Sequence, residues 1–256
     1  MKLNHRILGE GEPLLILHGL FGSSDNWQTL GKQYAEDFQV ILVDQRDHGH
    51  SSHSHDFSYE AMAEDLNELI EELELENVRL LGHSMGGKTC MLYASEHPET
   101  VKKMVIADIA PKKYPVHHQE IIAALEEVDL SSLNSRKEVE AAITLGIPDF
   151  TIRQFLLKSL YWIEKGQLAW RFNVPEIARQ IEAIVDQPYM QPCDVPVLFV
   201  AGGKSDYIRE EDHHLIEAYF LNSSITAMPE SGHWLHADNP ETFYSITRSY
   251  LLDMRP

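Results

Sequence analysis

Basic residues and cysteines are what this sequence of 256 residues is short of. It carries 21 Lys and Arg against 40 Asp and Glu, a formal charge of −19. A chain this acidic repels nucleic-acid phosphates and anionic membrane surfaces, so neither is an expected partner. Its two cysteines, Cys90 and Cys193, lie far apart with no metal-ligand or redox spacing, and read as buried thiols. No apolar run approaches the length of a membrane span, and the opening MKLNHRILGEGEP lacks the apolar core of a signal peptide. A soluble cytoplasmic protein is the expectation. There is no internal repeat and no low-complexity segment.

What is present is ordinary for a globular protein: 43% hydrophobic and 24% charged residues, at a length suited to one large α/β domain or a core with an inserted subdomain. The chain is organised around Val78 to His97 (VRLLGHSMGGKTCMLYASEH). A short apolar run leads through Gly82, His83, Ser84, Met85, Gly86 and Gly87 into apolar residues at helical spacing, which reads as strand, sharp turn, helix. Gly82, Ser84 and Gly86 make the G-x-S-x-G pattern of a nucleophile elbow, a turn so tight that only glycine leaves room on either side of a strained serine. The helix that follows aims its positive end at the serine, and the Met85 N–H is in place to stabilise an oxyanion. An inert glycine-rich turn is the bland alternative.

Upstream, Lys2–Leu8 and Leu14–Leu17 read as strands, and the second runs into His18, Gly19, Leu20, Phe21, Gly22 and Ser23 before a helix from Trp27 to Phe38. Val40–Val43 is a buried strand, followed by Asp44, Gln45, Arg46, Asp47, His48, Gly49, His50 and Ser51. His48, His50, His53 and His55 have no carboxylate or cysteine at an established ligand spacing, so no metal site is expected. Ser58 suits a helix cap; Met62, Leu66, Leu69, Ile70 and Leu73 mark an apolar face, with Glu64, Asp65, Glu68, Glu71 and Glu72 opposite. Met104–Ala107 is the next strand, ending in Asp108, Ile109, Ala110 and Pro111; an acid at the carboxyl end of a parallel strand is well placed for chemistry.

Between Pro111 and Pro192 the alternation of strand and helix lapses. His117–Val128, Ser135–Leu145, Phe150–Leu160 and Pro175–Val185 read as helices, with a hairpin from Tyr161–Ile163 and Leu168–Phe172. Roughly 80 residues without a βαβ rhythm suggest a lid inserted over a site. That divides the chain into a core of residues 1–111 and 192–256 and a helical lid of 112–191. Of its Phe155, Leu156, Leu160, Trp162, Trp170 and Phe172, Phe155 and Trp170 are expected to face substrate with Phe21, lining an apolar acyl pocket. The sheet resumes at Val195–Ala201, then Gly202 to Asp206, a helix over Glu210–Phe220, a strand over Ser224–Met228, Ser231, Gly232, His233 and Trp234, and a helix over Glu241–Leu252.

A serine hydroxyl is a weak nucleophile unless an imidazole takes its proton, and the imidazole needs a carboxylate to fix its tautomer. Ser84 is therefore the candidate nucleophile and His233 the base, with activity expected to rise through about pH 6 to 8. Asp108 and Asp206 are both candidate acids. Over its full length the chain resembles the small α/β-hydrolase esterases of the YbfF type: MKLN at the start, HGLFGS at 18–23, the D-x-R-x-H-G turn from Asp44, GHSMGGK at 82–88, DIAP at 108–111, QFLLKS at 154–159, WRFNVP at 170–175 and GHW-x-HA at 232–237. The resemblance implies an α/β-hydrolase fold, a mostly parallel central sheet flanked by helices with an inserted, mainly helical lid. It implies hydrolysis of short to medium acyl esters or thioesters with no cofactor, and an oxyanion hole from the N–H groups of Met85 and Leu20, with Phe21 as second choice for Leu20. Many α/β-hydrolases take their acid from a G-x-x-D turn, which Gly203–Asp206 matches; the YbfF type points to Asp108, and both are expected to reach the same imidazole. Ser84 stands where dehalogenases and epoxide hydrolases carry an aspartate, which argues against displacement at saturated carbon. Thioesterase and other triad-dependent chemistries stay open, as does a non-catalytic small-molecule receptor. The expected partner is a small-molecule ester, and the chain a monomer or homodimer.

Overall fold

A computed structural model of the chain describes residues 1–116 and 118–254. Nine strands are found among them: β1 His5–Leu8, β2 Pro13–Leu17, β3 Gln39–Val43, β4 Val78–His83, β5 Val101–Ala107, β6 Leu160–Glu164, β7 Gln167–Trp170, β8 Val197–Gly202 and β9 Ser223–Met228. Seven of them form one sheet in the order β1-β3-β2-β4-β5-β8-β9, while β6 and β7 pair separately. Only β1 runs antiparallel within the large sheet. The inner strands β4 and β8 are buried from end to end, as a parallel sheet covered on both faces requires.

The helices of the core are α1 Gln28–Tyr34, α2 Tyr59–Glu72, α3 Met85–Glu96, α8 His213–Tyr219, α9 Leu235–Asp238 and α10 Pro240–Leu251; residues 112–191 add α4 Gln119–Glu127, α5 Arg136–Ile143, α6 Phe150–Leu157 and α7 Val174–Val185. One core layer packs α2 and α3 against the sheet and continues into the 112–191 segment; the other packs α1 and α10 on the opposite face. Ser58 caps α2 through its side chain, which accepts from the Ala61 N–H. Asp65, read as part of a solvated acidic face, is instead buried and accepts from Arg46 Nε at 2.6 Å. The Arg46 guanidinium also donates to the Asp56 and Ala61 carbonyls, so this pair clamps the loop after β3 to α2.

Several boundaries differ from the sequence reading by a few residues. The helix expected over Trp27–Phe38 ends at Tyr34, and that over Phe150–Leu160 stops at Leu157 because Leu160 begins the β6–β7 hairpin. The expected helix start at His117 lies outside the described residues. No described helix is long and apolar enough to cross a membrane.

Candidate active site

Register places the chemistry. His83 at the end of β4 pairs with Ala107 at the end of β5, and Ala107 pairs with Val200 of β8. The next residues, Ser84 and Asp108, therefore emerge side by side at the carboxyl edge of the sheet. Both turn sharply, with φ of 52° and 49°, left-handed conformations that favour glycine and persist only where the surroundings enforce them. At the elbow they are enforced by crowding: a Cβ on Gly82 would meet the Gly86 carbonyl oxygen at 2.4 Å, and one on Gly86 would meet the Leu17 oxygen at 2.5 Å.

His233, in the loop after β9, joins the two. Its Nε2 lies 3.1 Å from Ser84 Oγ and its Nδ1 lies 2.8 Å from Asp108 Oδ2. Tyr207 stacks on the imidazole at 3.8 Å, and the His233 carbonyl accepts from His83 Nε2 at 2.9 Å. Asp108 is wholly buried. Its carboxylate also accepts from the Gly202 N–H at 2.8 Å and from the Ser205 hydroxyl. Burial pushes its pKa up to about 7, against the lowering influence of the hydrogen bonds from Ser205 and Gly202.

Asp206 is placed elsewhere. Its side chain is 88% exposed and faces Arg209 at 3.4 Å, so the expectation that both acids reach one imidazole is corrected. The turn after β8 directs its serine, Ser205, inward and its aspartate out.

The backbone N–H groups of Leu20 and Met85 have no acceptor among the described residues. Phe21, with φ of 61°, is different: its N–H donates to His48 Nε2 at 3.0 Å and is not free for a substrate. His48 donates through Nδ1 to the Arg46 carbonyl at 3.0 Å, and burial drives its pKa down to about 3, so it stays a neutral acceptor. His18 works alike, accepting from the Gln45 N–H at 3.0 Å and donating to the Gly19 carbonyl at 2.8 Å. Two buried neutral histidines thus tie the 18–22 loop to the turn after β3.

Two cavities meet at Ser84. The larger, of about 260 Å³, is lined by the 18–22 loop, His83, His233 and Trp234 on the core side and by Ile121, Ile152, Phe155 and Leu156 of the 112–191 segment. The smaller, of about 20 Å³, lies among Tyr59, Met85, Lys88, Ile109, Tyr114 and Ile184. Phe21 and Phe155 line the larger cavity, whereas Trp170 lines neither. It stacks on Phe172 at 5.4 Å, and Phe172 in turn packs edge-on against Phe21 at 5.1 Å, so both rings buttress the loop from behind.

The sequence matches the family described as alpha/beta hydrolase fold over residues 12–240. It is 35% identical to the esterase YbfF of Escherichia coli (strain K12) over 259 residues, covering 99% of this chain and 100% of that one. The chain belongs to the α/β-hydrolase fold esterases of the YbfF type. It is also 37% identical to the sn-1-specific diacylglycerol lipase ABHD11 of Mus musculus, covering 93% of this chain and 80% of the relative. Among solved structures, a marine microorganism esterase superposes with a TM-score of 0.95 at 44% identity, covering 97% of this chain and 99% of the other.

Within this YbfF-type hydrolase, the sequence reading missed the parts played by His48 and Tyr207. His48 stands among four histidines, 48, 50, 53 and 55, whose spacing gives no sign of a separate role for any one of them. What sets it apart is burial, since His50, His53 and His55 are exposed. Tyr207 directly follows the G-x-x-D turn; an aromatic there, one residue beyond an acid that points outward, was the only available signal.

Proposed function

We propose that the chain is a serine carboxylesterase that hydrolyses its ester through an acyl-enzyme, with Ser84 as nucleophile, His233 as general base and Asp108 as the orienting acid. The observation that carries this reading is the unbroken chain from Ser84 Oγ to His233 Nε2 and from His233 Nδ1 to Asp108, beside two N–H groups without an acceptor among the described residues.

The chemistry follows from that arrangement. Asp108 accepts from Nδ1, so the imidazole presents a lone pair on Nε2 to the serine proton. Attack by Oγ on the ester carbonyl moves that proton to His233, and the N–H groups of Leu20 and Met85 hold the oxyanion. The Nε2 proton then passes to the departing alcohol oxygen. A water repeats the sequence on the acyl-enzyme and releases the acid. The 112–191 segment acts as the lid, and the substrate is a small, largely uncharged ester. The names of the E. coli and mouse relatives support ester hydrolysis as the reaction class.

Initial rates on p-nitrophenyl acetate for the wild type and Ser84→Ala test the reading. Saturable turnover that drops by about 10⁵-fold or more in the variant is expected. A folded Ser84→Ala protein that retains turnover would sink it.

A further inference from the structure

We infer that the ester lies across Ser84 with a short acyl group in the smaller cavity and its alcohol part in the larger one, so that the enzyme takes esters of small acids, acetate above all, with bulkier apolar alcohols. This assignment rests on the serine-esterase reading and goes beyond it by giving each half of the substrate a place.

The argument starts from the proton. When the tetrahedral intermediate collapses, the bond between carbonyl carbon and alcohol oxygen breaks as that oxygen takes the proton from His233 Nε2. The alcohol must therefore sit within hydrogen-bond reach of His233. His233 and Trp234 line the larger cavity and not the smaller one. With the oxyanion held between the N–H groups of Leu20 and Met85, one substituent of the carbon remains, and the smaller cavity, which Met85 lines, is the space left for it.

Size sets the consequence. A cavity of about 20 Å³ holds about one water-sized group, so a methyl fits and longer chains must push the wall aside. That wall is packed and tied: Tyr59, Ile109, Tyr114 and Ile184 are all buried. The Tyr59 hydroxyl donates to the Ile184 carbonyl at 2.8 Å and that of Tyr114 to the Tyr207 carbonyl at 2.7 Å, while Lys88 Nζ donates to the Asp186 carbonyl at 2.6 Å. The larger cavity, at about 260 Å³, has the room and the apolar side chains for a substituent the size of an aromatic ring.

Two ester series decide it, one of 2-naphthyl esters from acetate to hexanoate and one of acetates from methyl to 2-naphthyl. The expected kcat/KM falls about ten-fold for each methylene beyond acetate and rises along the alcohol series. In Ile184→Ala, which opens the smaller cavity, the butyrate-to-acetate ratio is expected to rise about ten-fold while the ranking of alcohols stays put. The wild-type series stands alone should that variant fold poorly. Rates that climb toward hexanoate, with acyl preference moved by Phe155→Ala and not by Ile184→Ala, would reverse the assignment while leaving the serine mechanism intact. Turnover that survives Ser84→Ala would overturn both readings and is told apart by that control.

Discussion

The carboxyl edge of the sheet and the 112–191 segment face each other across one cavity, and they hold their side chains by different means. At the edge, position is fixed by backbone: strand register, two left-handed residues and hydrogen bonds that saturate the Asp108 carboxylate. The segment is held by side-chain packing and a few polar ties, such as Asn173 Nδ2 to Asp47 at 2.7 Å and Ser159 Oγ to the Phe21 carbonyl at 3.2 Å. It also exposes Leu145, Phe150, Trp162 and Ile163. Chemistry that demands sub-ångström geometry sits where the backbone dictates it; recognition, which tolerates adjustment, is left to packed side chains. Substitutions on the two sides should therefore differ in size and in kind.

The sharpest test sets two acids on the same edge against each other. Asp108→Asn is expected to lower kcat by about 10⁴-fold, since an amide can donate to Nδ1 and favour the wrong tautomer, whereas Asp206→Asn should stay within two-fold. The reverse outcome in folded proteins would move the acid to the G-x-x-D turn. Asp108 also ties activity to stability in opposite senses. Its pKa rises from 3.8 to about 7, so between those values the folded protein holds a proton that the unfolded chain has released. The native state gains most below about pH 4 and loses that advantage as pH climbs through 7, while turnover, on the role proposed for the carboxylate, is expected to increase. Thermal melts from pH 4 to 8 should show this slope flattened in Asp108→Asn; parallel curves would refute it.

His48 bridges the comparison, a core side chain that sets a loop. His48→Leu removes the acceptor for the Phe21 N–H and leaves that buried group unsatisfied, at a cost of about 1–3 kcal/mol. With the loop less firmly set, the Leu20 donor is misplaced, and kcat should fall about 10- to 100-fold while KM changes little. A drop confined to KM would mean that His48 shapes the pocket and does not position the oxyanion donor.

How much of this could be read from the sequence follows the same division. The elbow was legible because its glycines state a backbone geometry, and His233 because it follows the last strand of an alternating pattern. The rivalry between Asp108 and Asp206 was not decidable locally: each follows a strand, and only the inward turn of Ser205 and the outward turn of Asp206 separate them. The histidines after β3 look alike in sequence, and burial alone distinguishes His48. In the 112–191 segment the helices and hairpin were legible from period and spacing. Which aromatic faces the cavity was not, because that depends on how one packed layer sits on another.

Trp170 and Phe155 make the finest test of the comparison, since the sequence treats them as equals. Trp170 is buried against Phe172 and lines neither cavity at Ser84, so Trp170→Ala should lower stability by about 3–5 kcal/mol through the void it leaves. The fraction that remains folded should still turn over esters within about three-fold of the wild type, because Ser84, His233 and Asp108 are held by the sheet. Phe155 is half-buried, lines the larger cavity and lies 5.6 Å from Trp234. Truncating it removes contact with substrate more than with protein, so Phe155→Ala should melt within a few degrees of the wild type and raise KM for bulky esters about three- to ten-fold, with kcat little changed, as expected for an interaction made equally in ground and transition states. Denaturant melts paired with KM measurements give both readouts on one preparation. A Trp170→Ala enzyme of native stability but altered KM would place that ring in the substrate's path and reverse the roles of the two residues.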